Sequence, residues 1–247
     1  MSNVFNIARY EWRRIFLSPL AWAVLAVVQF ILGFVFINLL AQYAANASDG
    51  NDLGVSDVIG GSLYGFATVL LLLIMPLMTM RLFAEERKTG SITLLFSAPV
   101  SLTEIVLGKF VGVLGFVAVV IVLMALMPLS LAWSTNMDWG RIAAGLLGLF
   151  LLMMSFAAAG LFVSSLTREP TIAAVASFGL LLVVWLANIL AYNDSVPFKE
   201  VFSYLSLIDH FESLRRGVFA TADIVYYLLF SALFLWLTVL RLDIERN

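Results

Sequence analysis

Four consecutive charged residues, Glu85, Glu86, Arg87 and Lys88, form the densest group of ionisable side chains in this 247-residue chain. They lie in the segment 81–101 (RLFAEERKTGSITLLFSAPVS), between two long apolar runs. Such a group offers ionic contacts to a partner, although a solvated charge run that caps two helices is the alternative. The other candidate contact residues of this segment are Gly90, Leu94, Leu95 and Pro99.

Residues for catalysis or metal binding are scarce. The chain has no cysteine and one histidine, His210, which excludes thiol chemistry, Cys-based metal sites and an all-His metal site within one chain. No HExxH or GxSxG motif occurs, and Gly108-Lys109 lacks the glycine that a phosphate-binding loop needs five residues before Gly108. The chain therefore cannot bind ATP by that motif, and we expect no catalytic residue and no metal in it.

The composition predicts an all-α integral membrane protein. Hydrophobic residues make up 62% of the chain and charged residues 12%, and continuous apolar runs of about 20 residues recur along it. With 14 basic and 16 acidic residues there is no sign of nucleic-acid binding. We predict one transmembrane domain over residues 1–247, with spans at 19–40, 62–80, 105–129, 141–166, 171–190 and 224–240.

Residues 1–17 are predicted to form an amphipathic helix in the membrane surface. Helical spacing places an apolar set on one face and a polar set on another; a simple basic flank that orients the first span is the alternative. The apolar set is Phe5, Ala8, Trp12, Ile15 and Phe16, and the polar set is Asn6, Arg9 and Arg13.

The segment 192–223 is predicted to be an amphipathic stretch that is too polar to span the membrane. It either lies on the surface or enters the membrane and returns on the same side. Its polar and aromatic candidates are Asp209, His210, Phe211, Glu212, Arg215 and Arg216, and a polar residue on an interfacial helix is the simplest role for His210.

Two pairs of glycines have the small-xxx-small spacing that lets helix backbones approach closely. They are Gly61 with Gly65 and Gly108 with Gly112, and we interpret both pairs as helix-packing positions.

The distribution of basic residues predicts cytoplasmic termini. Six spans place both termini on one side, and assigning that side to the cytosol leaves most of the 14 basic residues inside. The segment 81–101 then faces the cytosol and the segment 192–223 faces outward. The basic residues left outside are Arg141, Lys199, Arg215 and Arg216.

The chain resembles the permease subunits of ABC-2 type ATP-binding-cassette transporters. Beyond the order of its elements, the likeness rests on two segments and looks closest to the gliding-associated (Gld-type) branch. The first contains Glu85-Glu86, Gly90-Ser91, Leu94-Leu95 and Ser97-Ala98-Pro99-Val100-Ser101, with Thr93 where an acidic residue is expected, and leads to Glu104-Ile105-Val106-Leu107-Gly108-Lys109. The second contains His210-Phe211-Glu212, Arg216-Gly217-Val218 and Asp223-Ile224-Val225-Tyr226.

The resemblance implies a coupling helix within 81–101 that seats in a cleft of an ATPase subunit, and a re-entrant outer hairpin before the last span. It implies two copies of that ATPase, which would hold ATP and Mg, and a second copy of this permease or a related one. An additional envelope-facing subunit is also implied. The expected location is the bacterial inner membrane, with substrate export, no cofactor in this chain and helix 1–17 bracing the ATPase.

Other functions stay open at this point. A membrane scaffold or force-transmitting subunit would recruit an ATPase without substrate flux. A secondary transporter is less favoured, because no Asp, Glu, Lys, Arg or His lies in the middle of a predicted span. An intramembrane enzyme is least favoured, because no nucleophile–base or metal constellation is visible.

Overall fold

The computed structural model describes residues 2–46, 54–133, 137–191, 204 and 206–246, and these ranges are helical without any strand. A π-helical segment, Ile59–Leu63, joins the third helix to the fourth. The helices are α1 Ser2–Leu17, α2 Pro19–Asn46, α3 Val55–Val58, α4 Tyr64–Thr79, α5 Arg81–Thr89, α6 Ile92–Ser97, α7 Leu102–Ser130, α8 Trp139–Ser164, α9 Pro170–Ala191, α10 Leu207–Arg215 and α11 Thr221–Arg246.

Within the described residues, 5 helical stretches are long and apolar enough to cross a membrane. They are Pro19–Ala45, Val55–Thr89, Leu102–Ser130, Trp139–Ser164 and Thr221–Arg246. The predicted all-α multi-pass membrane class is thus confirmed. The predicted span 171–190 falls in α9, whose portion Pro170–Leu186 is a shorter apolar helix, so the six-span count stays a prediction. Most of the predicted outer segment before α10, residues 192–203 and 205, lies outside the described residues.

Helix α8 is the centre of the bundle and packs against α4, α7, α9, α10 and α11. Small residues allow this close packing, because they let neighbouring side chains reach the α8 backbone. A Cβ added at Gly145 would lie 2.5 Å from the ring of Tyr64, and one at Gly148 would lie 2.9 Å from Leu214 of α10. The buried run Ala157, Ala158 and Ala159 follows on the same helix.

A side chain from α8 separates α4 from α5. The Ser164 hydroxyl donates to the Met80 carbonyl oxygen at 2.9 Å and accepts from the backbone N–H groups of Phe83, at 3.1 Å, and Ala84, at 3.2 Å. A side chain inserted into the i→i−4 ladder is a recognised cause of a helix break or kink. The apolar helix α4 therefore ends at Thr79, and the charged helix α5 starts at Arg81 as a separate element fixed to α8.

Helix α1 lies along a row of glycines on α7. A Cβ added at Gly108 would lie 2.6 Å from Ile7, and one at Gly112 would lie 2.7 Å from the Cβ of Glu11. The glycine pair that the sequence singled out thus seats the N-terminal helix directly against a spanning helix. Gly115 continues the row, because its Cβ would lie 2.9 Å from the Trp12 ring.

The buried face of α1 differs from the apolar face predicted from the sequence. The buried residues are Ala8, Glu11 and Ile15, whereas Phe5 is 68% exposed and Trp12 45% exposed. An interfacial helix presents its apolar face to the membrane, so the exposure of Phe5 and Trp12 does not contradict the predicted apolar face, whose Ala8 and Ile15 edge packs on the protein. The glycine row of α7 accepts the Ala8–Glu11 side of α1 and leaves the aromatic side facing outward, which suits a helix at a membrane interface.

The seat of α1 yields a first prediction. Replacing Gly112 with Ala should lower the thermal unfolding midpoint in mild detergent, by an amount equivalent to about 1–3 kcal/mol, because the added methyl group overpacks the α1–α7 contact. Gly33→Ala is the matched control, since its added Cβ meets no atom within 4 Å. Equal midpoints for the two variants would contradict the close seat of α1.

Candidate functional site

The four consecutive charged residues of α5 each form an ion pair with a different part of the chain. Successive residues of an α-helix point about 100° apart, so four in a row radiate around the helix axis toward all its neighbours. We call these residues and their partners the α5 network. Glu85 pairs with Arg14 of α1, Glu86 with Lys109 of α7, Arg87 with Glu245 of α11, and Lys88 with Glu169, which precedes α9.

The core of the α5 network is a buried group of three charges. The Lys109 Nζ atom lies 2.6 Å from Glu11 Oε1 and 2.5 Å from Glu86 Oε1. Lys109 and Glu11 are almost completely inaccessible to solvent, and Glu86 is largely so. The ammonium also lies 5.2 Å from the centre of the Phe83 ring, over its face. One cation between two carboxylates therefore joins α1, α5 and α7.

A second cation offsets the remaining negative charge at the edge of this group. The Arg14 Nη1 atom lies 3.7 Å from Glu11 and 3.8 Å from Glu86, and Nη2 lies 2.7 Å from Glu85 Oε2. Arg14 and Glu85 are both partly exposed, so this outer pair is accessible to solvent while the Lys109 group is not. Within one helical turn, the junction of α1, α5 and α7 thus changes from side chains that are buried to side chains that solvent can reach.

Two further pairs tie α5 to the end of the bundle. Arg87 is buried and pairs with Glu245 in the last turn of α11. Lys88 Nζ lies 2.8 Å from Glu169 Oε2, with side-chain exposures of 55% and 50%. A displacement of α5 would therefore act on α1, α7 and α11 through buried or partly buried contacts, and on the α8–α9 connection through an exposed one.

The segment after α5 presents the surface that a partner could reach. Gly90 ends α5 with φ 76°, a left-handed conformation that glycine adopts without strain. The short helix α6 then buries Ile92 and leaves Leu94 74% exposed, with Pro99 also exposed. Leu95 is half-buried and packs on the core. At the far end of this segment, Ser101 and Glu104 form a capping box that starts α7.

At the other end of the bundle, α10 forms a second polar junction. The His210 Nδ1 atom lies 2.7 Å from Asp223 Oδ1 at the start of α11, and its ring stacks on Tyr226 at a centroid distance of 4.1 Å. Asn188 of α9 donates to Asp209 Oδ1 at 2.7 Å. The apolar side of α10, which includes Phe211, is buried against α8. The predicted amphipathic residues thus connect α9 and α11 to the centre of the bundle.

Arg215 and Glu212 extend this junction to the first part of the chain. Arg215 donates to the carbonyl oxygen of Gly61 in the π-helical segment and to Glu212 Oε1, which also accepts from Arg216 Nε at 3.1 Å. Burial alone would raise the pKa of Glu212, but the ion pairs with the two arginines outweigh it and lower that pKa below its usual value. Gly65 lies beside Arg215, since an added Cβ would approach that guanidinium at 3.3 Å.

The predicted site residues are therefore only partly brought together. The charged residues of α5 form ion pairs with the elements that surround α5. A separate junction around α10 contains Asp209, His210, Glu212, Arg215 and Arg216. The glycine pairs separate likewise: Gly108 and Gly112 receive α1, while Gly61 and Gly65 adjoin Arg215. The predicted contacts of these residues with partner subunits stay predictions.

Sequence reasoning missed the partners of the α5 network, above all Glu11. A signal for Glu11 exists, because it is the sole acidic residue of α1 and is spaced with Ala8 and Ile15 on one helical face. A lone carboxylate on the buried face of a helix requires a cation nearby. Glu169, Glu245 and Ser164 carried no comparable local signal.

One comparison with known proteins bears on this arrangement. A sequence profile of a protein family, described as ABC-2 family transporter protein, matches residues 5–242. No curated protein matches the chain.

The buried group yields a second prediction. Replacing Lys109 with Met should destabilise the protein by about 3–5 kcal/mol, because Glu11 and Glu86 would remain buried without their cation. Lys88→Met is the matched control: its pair with Glu169 is exposed, and its loss should cost only about 0–1 kcal/mol. Both are measured as unfolding midpoints in mild detergent.

The double variant Lys109→Met with Glu86→Gln should recover part of the lost stability, because it removes one of the two orphaned charges. Equal destabilisation by Lys109→Met and Lys88→Met would show that the buried group does not hold the three helices together.

Proposed function

The chain belongs to the ABC-2 family of transporter proteins and is a multi-pass membrane permease component of an ABC transporter; we propose that it exports a substrate with ATP that a separate ATPase subunit hydrolyses. The observation that carries this proposal is the α5 network, which connects one charged helix to α1, α7, α11 and the α8–α9 connection. A permease without a phosphate-binding loop must receive its energy through such a contact. ATP and Mg would be held by the ATPase, and this chain would need no cofactor.

The proposed ATPase contact is α6 with the ends of α5 and α7 that flank it. The four α5 charges were predicted to contact the partner directly, and each of them is engaged within the chain. The exposed residues Leu94 and Pro99 are more accessible, so α6 would enter the ATPase and the α5 network would carry its movement into the bundle. Movement of a rigidly linked helix is a common way to switch between two arrangements of a membrane bundle.

The proposed assembly contains two ATPase copies and two permeases, either two copies of this chain or this chain with a related one. Six spans with cytoplasmic termini in the inner membrane of a bacterium would place α5 and α6 at the ATPase and α10 on the outer side. The segment His210-Phe211-Glu212 and the pattern from Arg216 to Tyr226 support the gliding-associated branch and an envelope-facing additional subunit.

The ATPase contact yields a third prediction. Replacing Leu94 with Asp should abolish co-purification of a stoichiometric ATPase from native membranes, because it places a charge in the apolar centre of the proposed contact. Thr93→Asp is the matched control, since it adds the same charge to the neighbouring exposed position, where the family resemblance expects an acidic residue.

Both variants should keep the wild-type unfolding midpoint, because Leu94 is 74% exposed and Thr93 is also exposed. An ATPase that accompanies Leu94→Asp as well as the wild type would refute the α6 contact. A wild-type chain that purifies alone in repeated mild detergents would refute the transporter assembly itself.

The proposed orientation yields a fourth prediction. The chain has no cysteine, so single-cysteine variants report topology without background. Ser97→Cys should react with a membrane-impermeant maleimide only when the cytoplasmic side is accessible, and Val218→Cys only from the opposite side. Both positions are exposed in the structure. Labelling of both variants from the same side would contradict the proposed arrangement of α6 and α10.

A further inference from the structure

A cleft of about 150 Å³ opens between α1, the start of α2 and the α4–α5 joint. Its volume is many times what one ordered water requires, so it has room for a polar group of several atoms. Its lining combines apolar and polar residues. The apolar ones include Leu20, Ala21, Leu77 and Met78, and the polar ones are Glu11, Arg14, Ser18, Arg81 and Glu85. This amphipathic lining differs from the purely apolar groove that Leu73, Pro76 and Phe178 form between α4 and α9.

The cleft lies at the depth where lipid head groups are expected. It adjoins the elbow at Ser18, where the amphipathic helix α1 meets the apolar helix α2. Trp12 is 45% exposed and Trp22 61% exposed on either side of this elbow, and exposed tryptophans are typical of the membrane–water interface. Arg81 marks the same level on the other wall, because it is the first charged residue after the apolar helix α4.

Arg81 is the cation in the cleft that is available to a ligand. Arg14 is already engaged with Glu85 at 2.7 Å, whereas Arg81 is exposed and forms no ion pair within the part of the chain that the structure describes. A guanidinium at the mouth of such a cleft is well suited to a phosphate, which it can bind with two parallel hydrogen bonds. Glu85 has a side-chain exposure of 40%, so its carboxylate can accept a further hydrogen bond from an ammonium group.

The charges in the cleft favour a zwitterion over an anion. Arg14 and Arg81 are balanced by Glu11 and Glu85, so the lining is neutral as a whole. An anionic head group would meet Arg81 but gain nothing from the carboxylates, whereas a head group with phosphate and ammonium would satisfy both signs. A quaternary ammonium could not donate a hydrogen bond to Glu85.

We propose that this cleft is a binding site for one membrane phospholipid with a primary-amine zwitterionic head group, its phosphate on Arg81 and its ammonium toward Glu85. The acyl chains extend along Leu77 and Met78 into the bilayer. The bound lipid fills the angle between α1 and the α4–α5 joint and so supports the α5 network from the membrane side. The site does not depend on the proposed transport function, because it would exist in any membrane protein with this junction.

The test is native mass spectrometry of the full chain in mild detergent, titrated separately with phosphatidylethanolamine, phosphatidylcholine and phosphatidylglycerol. The wild type should retain one phosphatidylethanolamine with a dissociation constant at least about tenfold below those of the other two lipids. Arg81→Gln should weaken phosphatidylethanolamine binding about tenfold or more, and Arg81→Lys should retain part of it because the positive charge remains. Arg9→Gln is the control, as Arg9 is exposed on α1 away from the cleft.

Competition with water-soluble compounds distinguishes a bound lipid from a bound free phosphate. Inorganic phosphate and glycerophosphoethanolamine should fail to displace the lipid at millimolar concentration, because neither fills the apolar wall. Equal retention of phosphatidylethanolamine by Arg81→Gln and the wild type would overturn the site. Equal binding of phosphatidylglycerol would overturn the zwitterion preference, and displacement by inorganic phosphate would assign the cleft to a free anion instead. The unfolding midpoints of Arg81→Gln and Arg9→Gln should equal that of the wild type. A difference in lipid affinity then reflects the cleft and not a loss of folded protein.

Discussion

One ammonium group shared by two carboxylates is the interaction on which the arrangement of the other elements depends. Lys109, Glu11 and Glu86 come from three helices and are removed from solvent, where an unpaired charge is far more costly than in water. Loss of Lys109 would leave both carboxylates without their buried cation, so this residue holds the group together. The glycine row of α7 brings the α1 backbone close enough for this contact, so packing and electrostatics require each other.

Ion pairs and hydrogen bonds join the helices at the two ends of the molecule, and small residues allow close packing between these ends. At one end α5 is fixed by ion pairs and by the Ser164 hydroxyl; at the other, α10 is fixed through His210, Arg215 and its contacts with α8. Between these ends, α8 packs through glycine and alanine, since apolar side chains gain little from one another over lipid. This division suits a permease, because the ends can exchange contacts with partners while the middle stays uncharged.

The membrane class, the charged segment and the glycine pairs could be predicted from the sequence, because hydropathy and local spacing report them directly. The α5 network could not, because three of its four α5 pairs join residues separated by 71 to 158 positions and the fourth, Glu86 with Lys109, spans 23 positions across the α5–α7 connection. Only tertiary packing decides which of many charges meet. The boundary between α4 and α5 agrees with the predicted end of the span at residue 80, but the contact with Ser164 could not be predicted, because that residue lies on another helix. For Glu11 only half of the answer was available. Its spacing with Ala8 and Ile15 indicates a place on the buried face of α1, but nothing in the sequence identifies Lys109 as its partner.

The pairing of Glu11 with Lys109 also sets an order for biosynthesis. The two residues are 98 positions apart, so the ribosome completes α1 long before the helix that neutralises its buried carboxylate. Because burial of a carboxylate without its cation is costly, we expect the Glu11 face of α1 to stay in contact with water until α7 has been inserted, with the aromatic side of α1 toward the lipid. We expect α1 to reach its final seat only once α7 supplies Lys109, so α1 is synthesised before α7 but is fixed in place after it.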